Sequence, residues 1–299
     1  MNVVKKTVAI SIVLIVFLTG MSQRLWALTF EFNKENPGVQ AFARKNIRFA
    51  VDGESIIPKL PPTFYVITYF PDDIPVLVFK MGKKGDTPEK GHAFTPYLEK
   101  LSGGNRAKSI KGPHGEKILY HPDRSPDKKM LSSYALWDGW VFIGNKKETL
   151  HNLLKLYKTP SDAAKAGNLK PSFKEWKEGG IRFWGDNSNN HLNNIFEAQK
   201  KTILIPLVKD PKKIQSMAGA FTLTDSREMR GKIMVKPVNQ QALKDIEGDA
   251  KFISETIRRR LAAIKTPYNG KIYSQDSSIV YDVFIGDYGA AQGQIVKVK

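Results

Sequence analysis

The chain has 299 residues and no cysteine, and its 47 Lys and Arg outnumber 29 Asp and Glu to give a formal charge of +18. Without cysteine there is no disulfide framework, thiolate metal ligand or thiol nucleophile, so stability rests on a packed core and those chemistries are excluded. The length suffices for one large or two smaller domains, and the basic excess directs attention to anionic partners.

Lys5 and Lys6 precede an apolar run over residues 8–18, which gives way to Ser22-Gln23-Arg24 and ends on the small residue Ala27. This is the layout of a secretory signal. The run is shorter than the ~20 apolar residues of a spanning helix, which favours cleavage. Leu25 is bulky for the position three before a cut, and Arg24 could reach the headgroups from the outer edge of a span; both favour retention as an anchor. In either case Lys5 and Lys6 stay cytoplasmic and the chain beyond Leu28 is expected to be exported, to a periplasmic or other extracytoplasmic location. Residues 1–28 are set apart as signal peptide or membrane anchor, 29–160 as a first α+β half and 161–299 as a second.

Residues 29–62 end in Pro58, Pro61 and Pro62 and read as an irregular entry or short edge element. Residues 63–70 and 76–81 are rich in β-branched and aromatic side chains and predict two strands. Phe94, Tyr97, Leu98 and Leu101 fall at helical spacing, predicting a short helix over 95–101 that stops at Ser102-Gly103-Gly104. Residues 108–111 and 117–121 are expected to pair across Gly112-Pro113-His114-Gly115. Two apolar runs about Asp138-Gly139 predict a tight hairpin, because that dipeptide supplies the positive φ the turn requires. Asn145 and Glu148 form a capping-box pattern at the head of a helix reaching Tyr157, with Thr159-Pro160 as its stop. Residues 161–180 read as the junction between halves, and 181–184 as a strand.

In the second half a helix is expected from 188 or 189 to 201, followed by an apolar stretch over 203–208 interrupted by Pro206. Residues 217–224 and 229–236 read as a strand pair. Leu243, Ile246, Ala250, Ile253, Ile257, Leu261 and Ile264 advance by threes and fours as one apolar stripe, predicting a long amphipathic helix between Pro237 and Pro267. Strands over 271–274 and 279–285 follow, and the tail from Gly289 reads as polar and loose. The fold class is α+β: two related halves of mostly antiparallel sheet with one or two packed helices each.

The pattern Tyr134-x-x-x-Asp138-Gly139-x-Val141-x-Ile143-Gly144-x-x-x-Glu148-x-Leu150 resembles a widespread exported bacterial family of unknown function built on a duplicated α+β module. The resemblance spans about residues 63–286. It implies a periplasmic or cell-surface module and brings no active site with it, since hairpin and cap chemistry explain each residue of the motif.

No catalytic residues and no cofactor are assigned. The histidines are His92, His114, His121, His151 and His191, and none forms an H-E-x-x-H pattern. His114, His121 and Asp123 could converge on zinc if their hairpin brought them together. Ser125-Pro-Asp-Lys128 matches S-x-x-K in a charged loop, without the packed helix the catalytic version needs. Asp186, Ser188, Asn190, Asn194 and Glu197 have the spacing of a calcium loop, with His191 where that loop needs glycine. The alternative reading is an Asn-rich turn capping the next helix. Arg258, Arg259 and Arg260 lie together on the long helix, where successive residues point in different directions, so no single clamp is expected. With Lys251 and Lys265 they form a candidate strip for contact with an anionic surface.

Export argues against nucleic acid as the anionic partner. The reading is a non-enzymatic envelope binding or scaffolding protein, membrane-associated, with an envelope protein partner or anionic lipid or glycan, such as an accessory subunit of a membrane complex. The alternatives are a lipid or lipoprotein carrier with an apolar cavity, and an envelope hydrolase whose site assembles from distant residues.

Overall fold

Leu28, Phe30 and Phe32 alternate with Thr29 and Glu31, the period of a strand with one face in a core. The computed structural model describes residues 26–46, 50–51, 54–70, 74–81, 94–123, 131–187, 210–224 and 227–295. In chain order these form β1 (Trp26–Asn33), α1 (Pro37–Asn46), the small ladder of β2 (Ala50–Val51) and β3 (Glu54–Ser55), β4 (Thr63–Phe70), β5 (Ile74–Lys80) and α2 (Thr95–Ser102). Then come β6 (Lys108–Lys111), β7 (Lys117–Tyr120), β8 (Ser133–Trp137), β9 (Trp140–Gly144), α3 (Lys147–Leu154) and α4 (Lys174–Glu178). The rest is β10 (Ile181–Asp186), β11 (Ile214–Leu223), β12 (Met229–Pro237), α5 (Gln240–Ala263), β13 (Tyr268–Gln275), β14 (Ser278–Ile285) and α6 (Tyr288–Ile295).

The fold is α+β, with one 12-stranded antiparallel sheet in the order β13-β14-β12-β11-β10-β1-β4-β5-β9-β8-β7-β6. Two expectations are corrected at once. The segment read as an irregular entry supplies β1, at the middle of the sheet, and α1, whose Val39, Phe42 and Ala43 are buried. The tail read as loose from Gly289 begins as α6, where Asp287 Oδ1 accepts the Ala290 N–H at 2.9 Å as a cap. A third correction concerns the Asn145–Glu148 pattern: α3 starts at Lys147 with Lys146 at the N-cap and no side-chain cap hydrogen bond. Reciprocal capping of that type occurs instead where the Thr159 N–H donates to Asp162 Oδ2 at 2.8 Å. The helix expected from 188 or 189 to 201 and the apolar stretch 203–208 lie outside the described residues.

The sheet order shows how the halves are related. The first runs β1-β4-β5-β9-β8 outward from the centre, and the second runs β10-β11-β12-β14-β13. In both, three antiparallel strands are followed by a helix (α2 or α5) and by a closing hairpin whose second strand returns to pair with the third, with β6 and β7 intervening after α2 in the first half. Both closing hairpins turn through two residues of positive φ, Asp138-Gly139 (48° and 78°) and Asp276-Ser277 (48° and 60°). The halves join where β1 pairs with β10, Phe30 opposite Phe183 and Glu31 opposite Arg182.

One sheet face carries the main core, under α1, α2, α5 and α6. Across it runs a line of aromatic rings: Phe64 to Phe32 (centroids 5.0 Å apart), Phe32 to Phe30 (6.5 Å), Phe30 to Phe183 (5.8 Å) and Phe183 to Phe221 (6.0 Å). Each ring buried this way contributes roughly 1.5–3 kcal/mol by area, with more from its aromatic neighbours. Phe183 lies over Gly219, where an added Cβ would overlap its ring. On the other face α3 sets Leu150, Leu153 and Leu154 on Ile67, Val76, Val78 and Phe142. Nearer the centre, Trp176 of α4 packs on Trp184, Ala218 and Ala220.

Candidate functional site

The helix α5, the longest among the described residues, owes its length to its ends as well as its stripe. At its start Asn239 Oδ1 accepts the Ala242 N–H at 2.8 Å. Leu243, Ile246, Ala250, Ile253 and Leu261 are buried, as the stripe predicts. At its end the Lys265 N–H bonds the Ala262 carbonyl and the Thr266 N–H bonds the Leu261 carbonyl (3.0 and 2.9 Å), with Lys265 at φ 55°. That is a Schellman stop with lysine in the position glycine prefers. Lys265 therefore has a structural role beside the surface role expected of it.

Between α5 and β13 lies an open groove of about 250 Å³. Lys251, Ser254, Glu255 and Arg258 line it from the helix, at the one-turn spacing of a single face, and Tyr268, Gly270 and Ile272 line it from the strand. Two residues of the predicted basic strip, Lys251 and Arg258, are thus in one site. Their charge is largely answered locally. Glu255 receives Arg258 Nε and Nη2 at 2.7 Å each and Arg259 Nε at 2.9 Å, and these hydrogen bonds draw its carboxyl down to about 2. Lys251 Nζ meets Glu247 Oε1 at 2.6 Å, and that hydrogen bond lowers the Glu247 pKa. Arg258 and Arg259 therefore share one partner, since i+3 and i+4 from Glu255 both reach back over the same turn, while Arg260 takes no part in it. Arg260 is half-buried, with Nη1 enclosed and unmatched among the described residues.

Ser254 Oγ lies 3.0 Å from the Tyr268 hydroxyl, whose pKa burial pushes up. A raised phenol cannot take a proton from serine at neutral pH, and the neighbouring Glu255 oxygens are occupied by guanidinium groups. The groove's polar groups suit binding rather than nucleophilic chemistry.

Another perturbed cluster lies on the opposite sheet face at the seam of the halves. Arg182 Nη1 meets Glu31 Oε1 at 2.7 Å, and Nη2 donates to the Lys177 carbonyl at 3.0 Å. Burial raises the Glu31 pKa against the pull of Arg182, and pushes the adjacent Tyr65 phenol up to about 12. This pair fastens β1 to β10.

The zinc expectation is not met by geometry. His114 stacks on Trp137 (4.2 Å, 8° between planes) with Nε2 3.0 Å from the Leu154 carbonyl, while His121 Nδ1 accepts the Asp123 N–H at 3.2 Å. Among the described residues no three His, Asp or Glu side chains converge for a metal. Of the calcium pattern, Asp186 is exposed at the end of β10; Ser188, Asn190, Asn194 and Glu197 lie outside the described residues, as do Ser125 and Lys128. No helix among the described residues is long and apolar enough to cross a membrane. Of the groove's lining the sequence named Lys251 and Arg258; Ser254, Glu255, Tyr268, Gly270 and Ile272 were missed, because a helix–strand groove is legible only once the pairing is known.

No family model and no curated protein matches the chain. Solved structures of TP0453 are similar to it: crystal form I at 11% identity and a TM-score of 0.45, covering 93% of this chain and 96% of that one. Crystal form III gives 10% identity and a TM-score of 0.44 over the same shares.

Proposed function

We propose that this chain is a non-enzymatic binding or scaffolding module of a bacterial envelope, exported and held at the outer surface of the cytoplasmic membrane. There it acts through contacts with a protein partner or anionic lipid, as an accessory subunit of a membrane complex would. The observation that carries the reading is where the sheet begins. The apolar leader ends only a few residues before β1, and Leu28 is already fully buried in that central strand. A leader kept in the bilayer would hold the sheet flush against the headgroups with almost no linker. A cut after Ala27 would take Trp26 and Ala27 away from their pairing with Phe70 and Tyr69, which weighs toward retention or toward a cut further upstream.

The net charge of +18 favours an anionic surface, and a polar groove beside a sheet edge favours docking over turnover. Purification of the untagged protein from native membranes, with mass spectrometry of what accompanies it, tests the reading. A stoichiometric envelope protein or an enrichment of anionic lipid is expected. Recovery of the chain alone from the soluble fraction would overturn it.

A further inference from the structure

The halves differ at a place their shared topology makes visible. In the first, the outer side of β8 is occupied: β7 pairs with it antiparallel, Ile118 opposite Ala135, Leu119 opposite Tyr134 and Tyr120 opposite Ser133. In the second, the equivalent strand β13 ends the sheet, and among the described residues no strand lies beyond it. The hairpin turns align the two, since Trp137 pairs with Trp140 and Gln275 with Ser278 beside them. Counting back from the turns, Tyr273 stands where Ala135 stands, Ile272 where Tyr134 stands and Lys271 where Ser133 stands. The sheet faces agree, for Tyr134 and Ile272 both belong to the main core.

In a two-residue hairpin the pair flanking the turn is hydrogen-bonded, and bonded pairs then alternate with unbonded ones. Tyr268, Gly270, Ile272 and Ser274 therefore direct their backbone N–H and C=O groups outward. The long helix answers one of them: Ser254 Oγ donates to the Gly270 carbonyl at 3.4 Å. Such an edge is a template for another strand unless it is short or charged. At the other end of the sheet β6 has 4 residues and lysine at both ends; β13 has 8, with Lys271 as its one lysine.

We propose that β13 is a receptor strand, which adds an extended antiparallel segment of a partner protein carrying apolar residues opposite Tyr273 and Ile272 and an acidic residue opposite Lys271. The apolar part follows from the first half, where Ile118 and Leu119 fill the equivalent positions. Charge supplies the rest. Lys271 is exposed, with its ammonium 5.7 Å from the Tyr273 ring centroid, and its cross-strand neighbour Asp282 is engaged by Lys232 at 3.8 Å. A second copy of the chain is the poorer occupant. The register that uses the whole edge would set Lys271 against itself, and like charges directly opposite one another destabilise a sheet. Main-chain hydrogen bonds would give affinity and the side-chain positions selectivity, the mode known as strand addition.

The proposal rests on the docking role above and names its partner geometry. The probe is the acetylated peptide Thr-Ile-Leu-Glu-Val-Thr, titrated into the full chain with fluorescence anisotropy as one readout and hydrogen exchange of the Ile272 amide as the other. Binding that slows exchange at Ile272, and that falls about tenfold when the peptide's Glu is replaced by Lys, is expected. Lys271→Glu should reverse the preference between the two peptides, which a merely structural lysine would not do. Equal binding of both peptides, no protection at Ile272, or a dimer that buries β13 would each overturn the proposal. Membrane recovery with a partner bound elsewhere would sink this inference and leave the envelope reading standing.

Discussion

Arg182→Met isolates the bridge between the halves. Arg182 Nη1 lies 2.7 Å from Glu31 Oε1, with side chains 26% and 14% exposed. At that separation two unit charges attract by about 6 kcal/mol at an effective dielectric constant near 20. Desolvation offsets much of this, since burial is the largest influence on Glu31 and raises its pKa despite the guanidinium. Removing Arg182 leaves an enclosed carboxylate without a counter-ion. The cost is about 3 kcal/mol at neutral pH, at the low end for broken buried pairs because both side chains retain some solvent. In a chain of this length that is a fall in Tm of roughly 6 °C. A carboxyl whose folded pKa is raised contributes stability that is fully present below its unfolded value and is lost as pH climbs through its folded value. Arg182→Met raises the folded value further, so its deficit against wild type should be small near about pH 4 and full near about pH 7. The double variant Arg182→Met/Glu31→Gln should recover most of the neutral-pH loss. Thermal denaturation of the three proteins at both pH values decides the matter. An equal deficit at both, or a double variant no more stable than the single, would show that Glu31 is not the group Arg182 compensates.

Gly139→Val should cost roughly 1–3 kcal/mol, because Gly139 sits at φ 78° where a β-branched residue is strained; an unchanged thermal midpoint would contradict the turn's role. Asn239→Ala should cost about 1 kcal/mol through loss of the α5 cap, read as a shift in urea midpoint without a change in slope. The protein should adsorb to vesicles containing anionic lipid and release as salt rises from ~0.05 to ~0.5 M. Replacing Arg258, Arg259 and Arg260 with Gln should weaken that adsorption, and Glu255→Gln should strengthen it by freeing two guanidinium groups. Equal retention on neutral vesicles would contradict both.

Local chemistry made much of this fold legible. Asp138-Gly139 predicts its hairpin because few dipeptides supply positive φ twice, and the α5 stripe predicts its helix because the spacing persists over many turns. The strand pair β11 and β12 and the closing hairpin of β13 and β14 were likewise readable from their composition. β1 was hidden by the apolar run just before it, although Leu28, Phe30 and Phe32 alternate as a one-sided strand should. α1 was hidden by its opening Pro37-Gly38 and its charges, although Asn36 caps it, Oδ1 accepting the Val39 N–H at 3.1 Å. The Asn145–Glu148 pattern misled because α3 begins beyond the residue that would have capped it. In the groove, Lys251 and Arg258 were visible as helix-surface cations, whereas their neutralisation by Glu247 and Glu255 depends on side-chain geometry. Glu31 and Arg182 lie 151 positions apart and meet only because β1 and β10 are neighbours.

A folded sheet exported to the outer surface of the membrane would carry its C-terminal end out of the cytoplasm. Paired reporter fusions after Lys299, one active only outside the cytoplasm and one fluorescent only inside, test it most directly. Activity of the first and silence of the second are expected, with the signal in the membrane fraction and lost from it when residues 1–21 are removed. A fluorescent cytoplasmic reporter would contradict it.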